Sequence, residues 1–380
     1  MERADVVIVG GGIIGASIAF HLATRGVRDV VVLERDQLGS GSTGRNAGGV
    51  RLQFSTEINV RLSLRSLPRI ENFAAEMGVD PQLRQVGYLF LITEERDVAP
   101  FEGSLAMWTR LGVPAERLDA AGVRQLFPEL FLDDLRFATF CARDGYCDPS
   151  SLLNGYVAQA KVKGARFRQH EPAIGITRVG DRVTAVRTAK GEIACGTVVN
   201  AAGAWGADVG RLAGIELPIR PLRRQIFVTD SVPGLDREFP LTVEFASSLY
   251  FYRESGGVLM GMADPTDGPG FDASVNWDFL PTLVERALYR LPILEQAKVK
   301  TGWAGFYEDT PDKHPILGAI PGVDGFLCAA GFSGHGIMHA PAAGEAIAEL
   351  IVDGRTSFDI TPLAYDRFRR GDLIKEHNVI

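Results

Sequence analysis

The first thirty or so residues carry the pattern that most constrains this chain. Val6 to Val9 is a continuous apolar run, as expected of a strand buried on both faces of a parallel sheet. Gly10, Gly12 and Gly15 follow, then a helical stripe of Ile14, Ile18 and Leu22 that Gly26 stops. A second strand, Asp29 to Leu33, leads into Glu34, about 20 residues after the third glycine. Each piece has a physical task. Gly10 makes the tight turn, Gly12 lets backbone N–H groups approach a pyrophosphate, and Gly15 lets helix pack on strand. Ile13 and Ile14 open the helix, whose N-terminal partial positive charge faces the phosphates. Glu34, with Arg35 beside it, accepts hydrogen bonds from ribose hydroxyls and favours an unphosphorylated ribose. Strand, glycines, helix and acid together predict a dinucleotide site.

The next segment narrows the kind of dinucleotide. From Gly39 to Gly49 the residues are small and polar, with Ser42, Thr43, Arg45, Asn46, Ala47, Gly48 and Gly49 in sequence around Gly44. Such a loop can wrap a second set of phosphates and lay backbone against a flat ring. A helix predicted from about Ser55 to Gly78 carries Leu67, Ile70, Phe73 and Met77 on one stripe, with a kink expected at Pro68. Asp148 and Pro149 have the chemistry of a helix start, running to about Lys163. Val183 to Arg187 and Glu192 to Cys195 predict a hairpin turned at Lys190 and Gly191. Val198 to Asn200 reads as a buried strand ending in Ala201, Ala202, Gly203 and Ala204, small enough for backbone to approach a ligand, before Trp205. Phe326 to Ala330 predicts another strand. It runs through Gly331, Gly334, His335 and Gly336 into a helix from Ile337 to about Asp353, with Pro341 expected in its first turn.

A chain of 380 residues suggests two domains, and the absence of a linker suggests that they interleave. The net charge of −7 argues against an extended nucleic-acid surface or a polybasic membrane patch. No apolar run has the length of a membrane span, and the first residues lack the pattern of a secretory leader. The four cysteines show no Cys-x-x-Cys spacing, so a reducing, cytoplasmic setting is expected. No metal-ligand cluster, paired carboxylates or serine triad stands out, and no metal is expected.

Val7 to Glu34, Gly39 to Phe54, Asp144 to Pro149, Val198 to Trp205 and Trp303 to Gly344 together resemble the D-amino-acid-oxidase-like superfamily of flavoenzymes. It includes sarcosine oxidase, glycine oxidase, dimethylglycine dehydrogenase and the beta subunit of archaeal-type proline dehydrogenase. The resemblance covers nearly the whole chain and implies FAD as the cofactor. It implies an α/β fold: a Rossmann-type FAD-binding domain interleaved with a substrate domain on a mostly antiparallel mixed sheet. The FAD domain is expected from residues 1–85, 143–215 and 319–380, the substrate domain from 86–142 and 216–318. In the sarcosine-oxidase branch the Gly331 to Ile337 segment lies against the flavin ring. There the helix start stabilises charge at the pyrimidine edge and His335 donates a hydrogen bond near it. His339 either faces the ring or caps the helix. Arg51 is the candidate for an anionic substrate group, its counterpart in relatives lying near the flavin. Tyr250 and Tyr252 share one face of a predicted strand and are expected to line the cavity, with Arg253 on the other face. Arg223 and Arg224 are further candidates.

Departures from the relatives refine the expectation. Where some relatives attach flavin to a cysteine or a histidine, this chain has Gly305 and Arg45, so FAD is expected to be non-covalent. Met338 stands where sarcosine oxidases hold the substrate carboxylate with a lysine, and Tyr307 where glycine oxidases use an arginine. Leu259 falls near the lysine linked to oxygen activation. The resemblance is therefore strongest to the proline-dehydrogenase-like branch. It implies hydride transfer from a small amine, an amino acid or N-substituted glycine, to flavin N5, giving an imine that hydrolyses. Oxygen or another acceptor takes the electrons, and a second subunit is allowed for. The alternatives are a flavin-dependent 2-hydroxy acid dehydrogenase, in which His335 or His339 would be the base, and a non-catalytic, partner-dependent flavoprotein.

Overall fold

The computed structural model describes residues 2–380. One of its two large sheets has six strands, in the order Ile316–Ala319, Phe326–Ala330, Thr197–Asn200, Val6–Val9, Val30–Leu33 and Arg166–Arg168. All neighbours run parallel except the edge strand Ile316–Ala319. Parallel strands need long crossovers and cover on both faces, and the unbroken apolar runs supply what that cover buries. Val6 and Ile8 join one core, while Val7 and Val9 turn to a second that holds Ile193, Val209 and Ile215. Helices Ile13–Thr24, Pro149–Val162 and Gly336–Asp353 pack on the first of these faces. The closest approach is at Gly344, where a Cβ would stand 2.2 Å from Ser17 Oγ, and Ser17 donates to the Ala340 carbonyl at 2.7 Å.

The second large sheet has eight strands, in the order Val299–Asp309, Arg220–Thr229, Gly257–Gly261, Leu249–Glu254, Leu241–Glu244, Tyr88–Ile92, Phe137–Cys141 and Ala115–Leu118. It is antiparallel except where Leu241–Glu244 meets Tyr88–Ile92. One face, with Phe90, Ile226 and Tyr252, belongs to the same core as Val6 and Ile8. The other, with Leu89, Phe227 and Phe251, is sealed by Phe127, Phe239 and the helix Leu280–Arg290. That helix delivers Arg286 and Arg290 to Glu244, which is fully buried on its strand; Arg290 also pairs with Asp134 at 2.8 Å.

Several local expectations hold. Asp148 caps its helix by accepting from the Ser150 and Ser151 N–H groups, and the hairpin pairs Arg182–Thr188 with Gly191–Ala194. Two do not. The helix expected to run through Pro68 is two helices, Glu57–Glu71 and Phe73–Met77, divided at Asn72 rather than kinked at the proline. The Asn72 amide competes with the helix by donating to the Pro68 carbonyl at 2.8 Å. Pro341 lies in the second turn of Gly336–Asp353, as it would even from a start at Ile337; there it has no N–H to give Ile337.

Candidate active site

Residues from both large sheets line a cavity of about 760 Å³, in the size range of ligand sites, roughly 300–1,000 Å³. At one end Gly10, Gly12, Ile13 and Ile14 form its floor. Gly10 has φ +116°, and a Cβ there would stand 2.3 Å from the Ala201 carbonyl oxygen. Gly15 is behind the turn rather than in the cavity wall: its Cβ would meet the Gly10 carbonyl at 2.0 Å, so its glycine serves helix-on-strand packing. Gly12 is the N-cap and brings no side chain to the helix N–H groups; Ile13 N–H reaches Thr43 Oγ1 at 3.1 Å. The Glu34 carboxylate is fixed in the wall by the Gly11 and Asp36 N–H groups, both at 2.8 Å. Arg35 lies over the Trp205 ring at 3.7 Å, and Phe271 stacks on the same indole.

The Gly39–Gly49 loop crosses the cavity as expected, with a 3-10 turn over Ser42–Arg45. It is held to the second sheet by Ser42 Oγ donating to the Phe306 carbonyl at 2.7 Å and Arg45 donating to that of Ala304 at 2.9 Å. Asn46 stabilises the turn, its Oδ1 accepting from Gly48 N–H and its Nδ2 donating to Thr43 O, both at 2.6 Å. Ala47, Gly48 and Gly49 continue the wall, and Ala201, Ala202 and Gly203 face them.

Gly334, His335, Gly336 and Ile337 bring the start of Gly336–Asp353 to the other end. Arg51 is almost wholly buried there. Its guanidinium donates to the carbonyls of Gln53 (2.7 Å) and Asn378 and lies 3.3 Å from His335 Nε2. Arg51 cannot give up its proton, so His335 Nε2 accepts and the imidazole proton sits on Nδ1. Burial first, and then Arg51, push the His335 pKa well below the ordinary histidine value. Tyr88, Tyr250 and Tyr307 also line this end, and none of their hydroxyls has a hydrogen-bond partner among the described residues. Glu308 lines the cavity beside the helix start, Oε2 accepting from Gly331 N–H at 2.7 Å; burial raises its pKa from 4.5 to about 7.

Besides Gly15, three expected site residues lie elsewhere. Tyr252 shares a strand face with Tyr250 but sits one pair further from the cavity, under the loop, where its hydroxyl donates to the Ala47 carbonyl at 2.9 Å. His339, one turn into the helix, is fully buried against Phe54; Nε2 lies 3.0 Å from Ser63 Oγ, and burial lowers its pKa to about 3. Gly331 is behind the wall, where its N–H anchors Glu308. Reading the sequence missed Tyr88 and Glu308, and it treated Tyr307 only as a missing arginine. Tyr88 opens an apolar strand with a hydroxyl, a weak signal; Tyr307 and Glu308, near the end of a mixed strand, gave none before that strand was placed.

The family model described as DAO, FAD dependent oxidoreductase, matches residues 5–350. The chain belongs to that family. It is 34% identical to "FAD-dependent oxidoreductase domain-containing protein 1" of Xenopus laevis, over all of this chain and 85% of that protein. Its fold superposes on an L-proline dehydrogenase from P. horikoshii with a TM-score of 0.92 at 33% identity, covering 98% of this chain and 99% of the other. Glycine oxidase from Geobacillus kaustophilus follows at 0.87 and 29%, covering 97% and 99%. The protein is thus an FAD-dependent oxidoreductase with the Rossmann-type fold of that family.

The residues present fit FAD. At Gly10 a Cβ would run into the Ala201–Ala202 backbone, so only glycine allows the turn, and the helices after Gly12 and His335 begin at the cavity with no cap from their own N-cap side chains. Two helix starts on one cavity suit a ligand with a pyrophosphate and an electron-accepting ring. All four cysteines are free and buried. Arg45, where some relatives carry the attachment residue, is engaged with Ala304.

Proposed function

We propose that this oxidoreductase oxidises the carbon next to the nitrogen of a small amino acid or N-substituted glycine, held by its carboxylate. The observation that carries the reading is Arg51. It is buried in the cavity wall with no carboxylate at ion-pair distance among the described residues, and three of its five N–H donors are used. Asp144 and Glu376 act on it only from beyond hydrogen-bond distance, and an anion that arrives with the ligand would take its free donors. Bound FAD supplies the two-electron acceptor for the hydride that leaves the substrate carbon. Tyr88, Tyr250 and Tyr307 orient the substrate through their unpartnered hydroxyls and exclude bulk water. The C–H bond breaks, a C=N bond forms, and water adds across it to release a carbonyl product, an amine and a proton.

The same geometry removes both histidines as the base for a 2-hydroxy acid. Alcohol oxidation needs a base for the hydroxyl proton. His335 offers Nε2 to Arg51 and is a weak base, and His339 is outside the cavity. Anaerobic bleaching of the flavin absorbance against glycine, sarcosine, proline, N-carboxymethyl amino acids, D-amino acids and 2-hydroxy acids tests this. Bleaching by amines is expected. Bleaching by hydroxy acids alone would overturn the reading, and readmitting air then separates an oxidase from a dehydrogenase.

A further inference from the structure

Arg51 is one of three guanidinium groups in the cavity wall that form no ion pair among the described residues. Arg45 is spent on the carbonyls of Ser40 and Ala304. The third is Arg224, on the strand Arg220–Thr229. Strand alternation separates it from its neighbour Arg223. Arg223 turns away from the cavity and is fully engaged, with Asp267 and Asp272. Arg224 turns inward. Its Nη1 donates to the Arg223 carbonyl at 2.9 Å, its Nε is buried without a partner, and it forms no ion pair among the described residues. The guanidinium lies 4.9 Å from the centre of the Tyr307 ring.

Both cations line the tyrosine end of the cavity with Tyr88, Tyr250 and Tyr307. Arg224 lies against Tyr307, and Arg51 lies over Phe54 beside His335. The substrate end of the cavity therefore presents two separate positive groups among the tyrosines. A single carboxylate satisfies one of them and leaves the other unmatched in a partly desolvated wall.

Resting on the amine reading above, we propose that the substrate is a secondary amine carrying two carboxylates, an N-carboxymethyl amino acid. Arg51 holds one carboxylate and Arg224 the other, with the oxidised carbon–nitrogen bond between them over the tyrosines. Oxidation removes a hydride from one N–CH carbon and forms the C=N bond there. Water then releases an oxo acid from that arm and the amino acid left by the other.

The test uses the FAD-loaded protein and unreactive thioethers, so that binding is read apart from chemistry. Thiodiacetate has two carboxylates about a sulfur, and (methylthio)acetate has one; each is titrated through the change in the flavin visible spectrum. Thiodiacetate is expected to bind about tenfold tighter or better, the effect of one further ion pair. In R224Q the ratio of the two dissociation constants should fall toward one, and in R224K part of it should return. Retention of bound FAD by both variants shows that they fold. A ratio near one in the unaltered protein, or a ratio that survives R224Q, overturns the proposal, even if sarcosine or glycine bleaches the flavin and the amine reading stands. A preference that R224Q abolishes, with no amine able to bleach the flavin, upholds the two-anion site and removes the amine reading.

Discussion

At the scale of single residues, the chemistry turns on charges that burial has isolated. Replacing Arg51 by methionine keeps the bulk over Phe54 and removes the charge, so we expect kcat/KM for a carboxylated amine to fall about 100-fold, close to 3 kcal/mol of binding. Steady-state kinetics at fixed ionic strength checks this, and an unchanged value would move the carboxylate site elsewhere. Glu308 makes a second prediction. Burial raises its folded-state pKa from 4.5 to about 7, so between those values the folded protein binds a proton that the unfolded chain has released. Stability from this group is therefore greatest below pH 4.5, is lost as pH rises toward 7, and levels off above it, a loss of about 3 kcal/mol. Urea unfolding of the wild type and E308Q across pH 4.5–7.5 should show the difference between them narrowing or reversing with pH. Parallel curves would contradict the assignment.

Among elements, the segment after residue 371 does more than finish the fold. Glu376 is buried and accepts from the N–H and hydroxyl groups of Ser55 and Thr56 and from Asn59. That anchor places the Asn378 carbonyl on Arg51 and Ile380 in the cavity wall. Glu376 to alanine leaves the donors at the start of Glu57–Glu71 unmatched, and about 3 kcal/mol of stability should go with them. Arg51 should also loosen, seen as a rise in KM larger than the fall in kcat; a stability loss with unchanged KM would confine the tail to a structural role. The ion cluster beneath Leu280–Arg290 belongs to the same scale. R290M leaves buried Glu244 with Arg286 alone and takes Asp134's partner, for an expected loss of about 2–3 kcal/mol by chemical denaturation.

For the whole molecule, the cavity that would hold FAD is lined from two sheets that also share the core around Phe90, Ile226 and Val6. Adding FAD should raise Tm with the logarithm of its free concentration over Kd. Denaturation should then release all of the flavin, since Gly305 has no side chain to attach it and Arg45 is no nucleophile; intact mass showing flavin on the chain would contradict this.

The sequence by itself determined the dinucleotide end. A strand, a glycine turn and a helix start are contiguous, and the binding groups there are backbone N–H donors whose positions follow from local conformation, so Gly10, Gly12 and the Gly39–Gly49 loop fell where expected. The cysteine and histidine absences at Gly305 and Arg45 were equally readable. Only the tertiary structure decided the substrate end. Tyr88, Arg224, Tyr250 and Tyr307 come from four strands, and whether each faces the cavity depends on register, as in the pairing of Arg224 with Gly305 and Tyr250 with Gly261. A period of two told which residues share a face, not how far along that face the cavity extends. That is why Tyr252 was misplaced and Tyr250 was not. His339 failed for the parallel reason on a helix, where one turn separates a residue at the cavity from one buried in the core behind it.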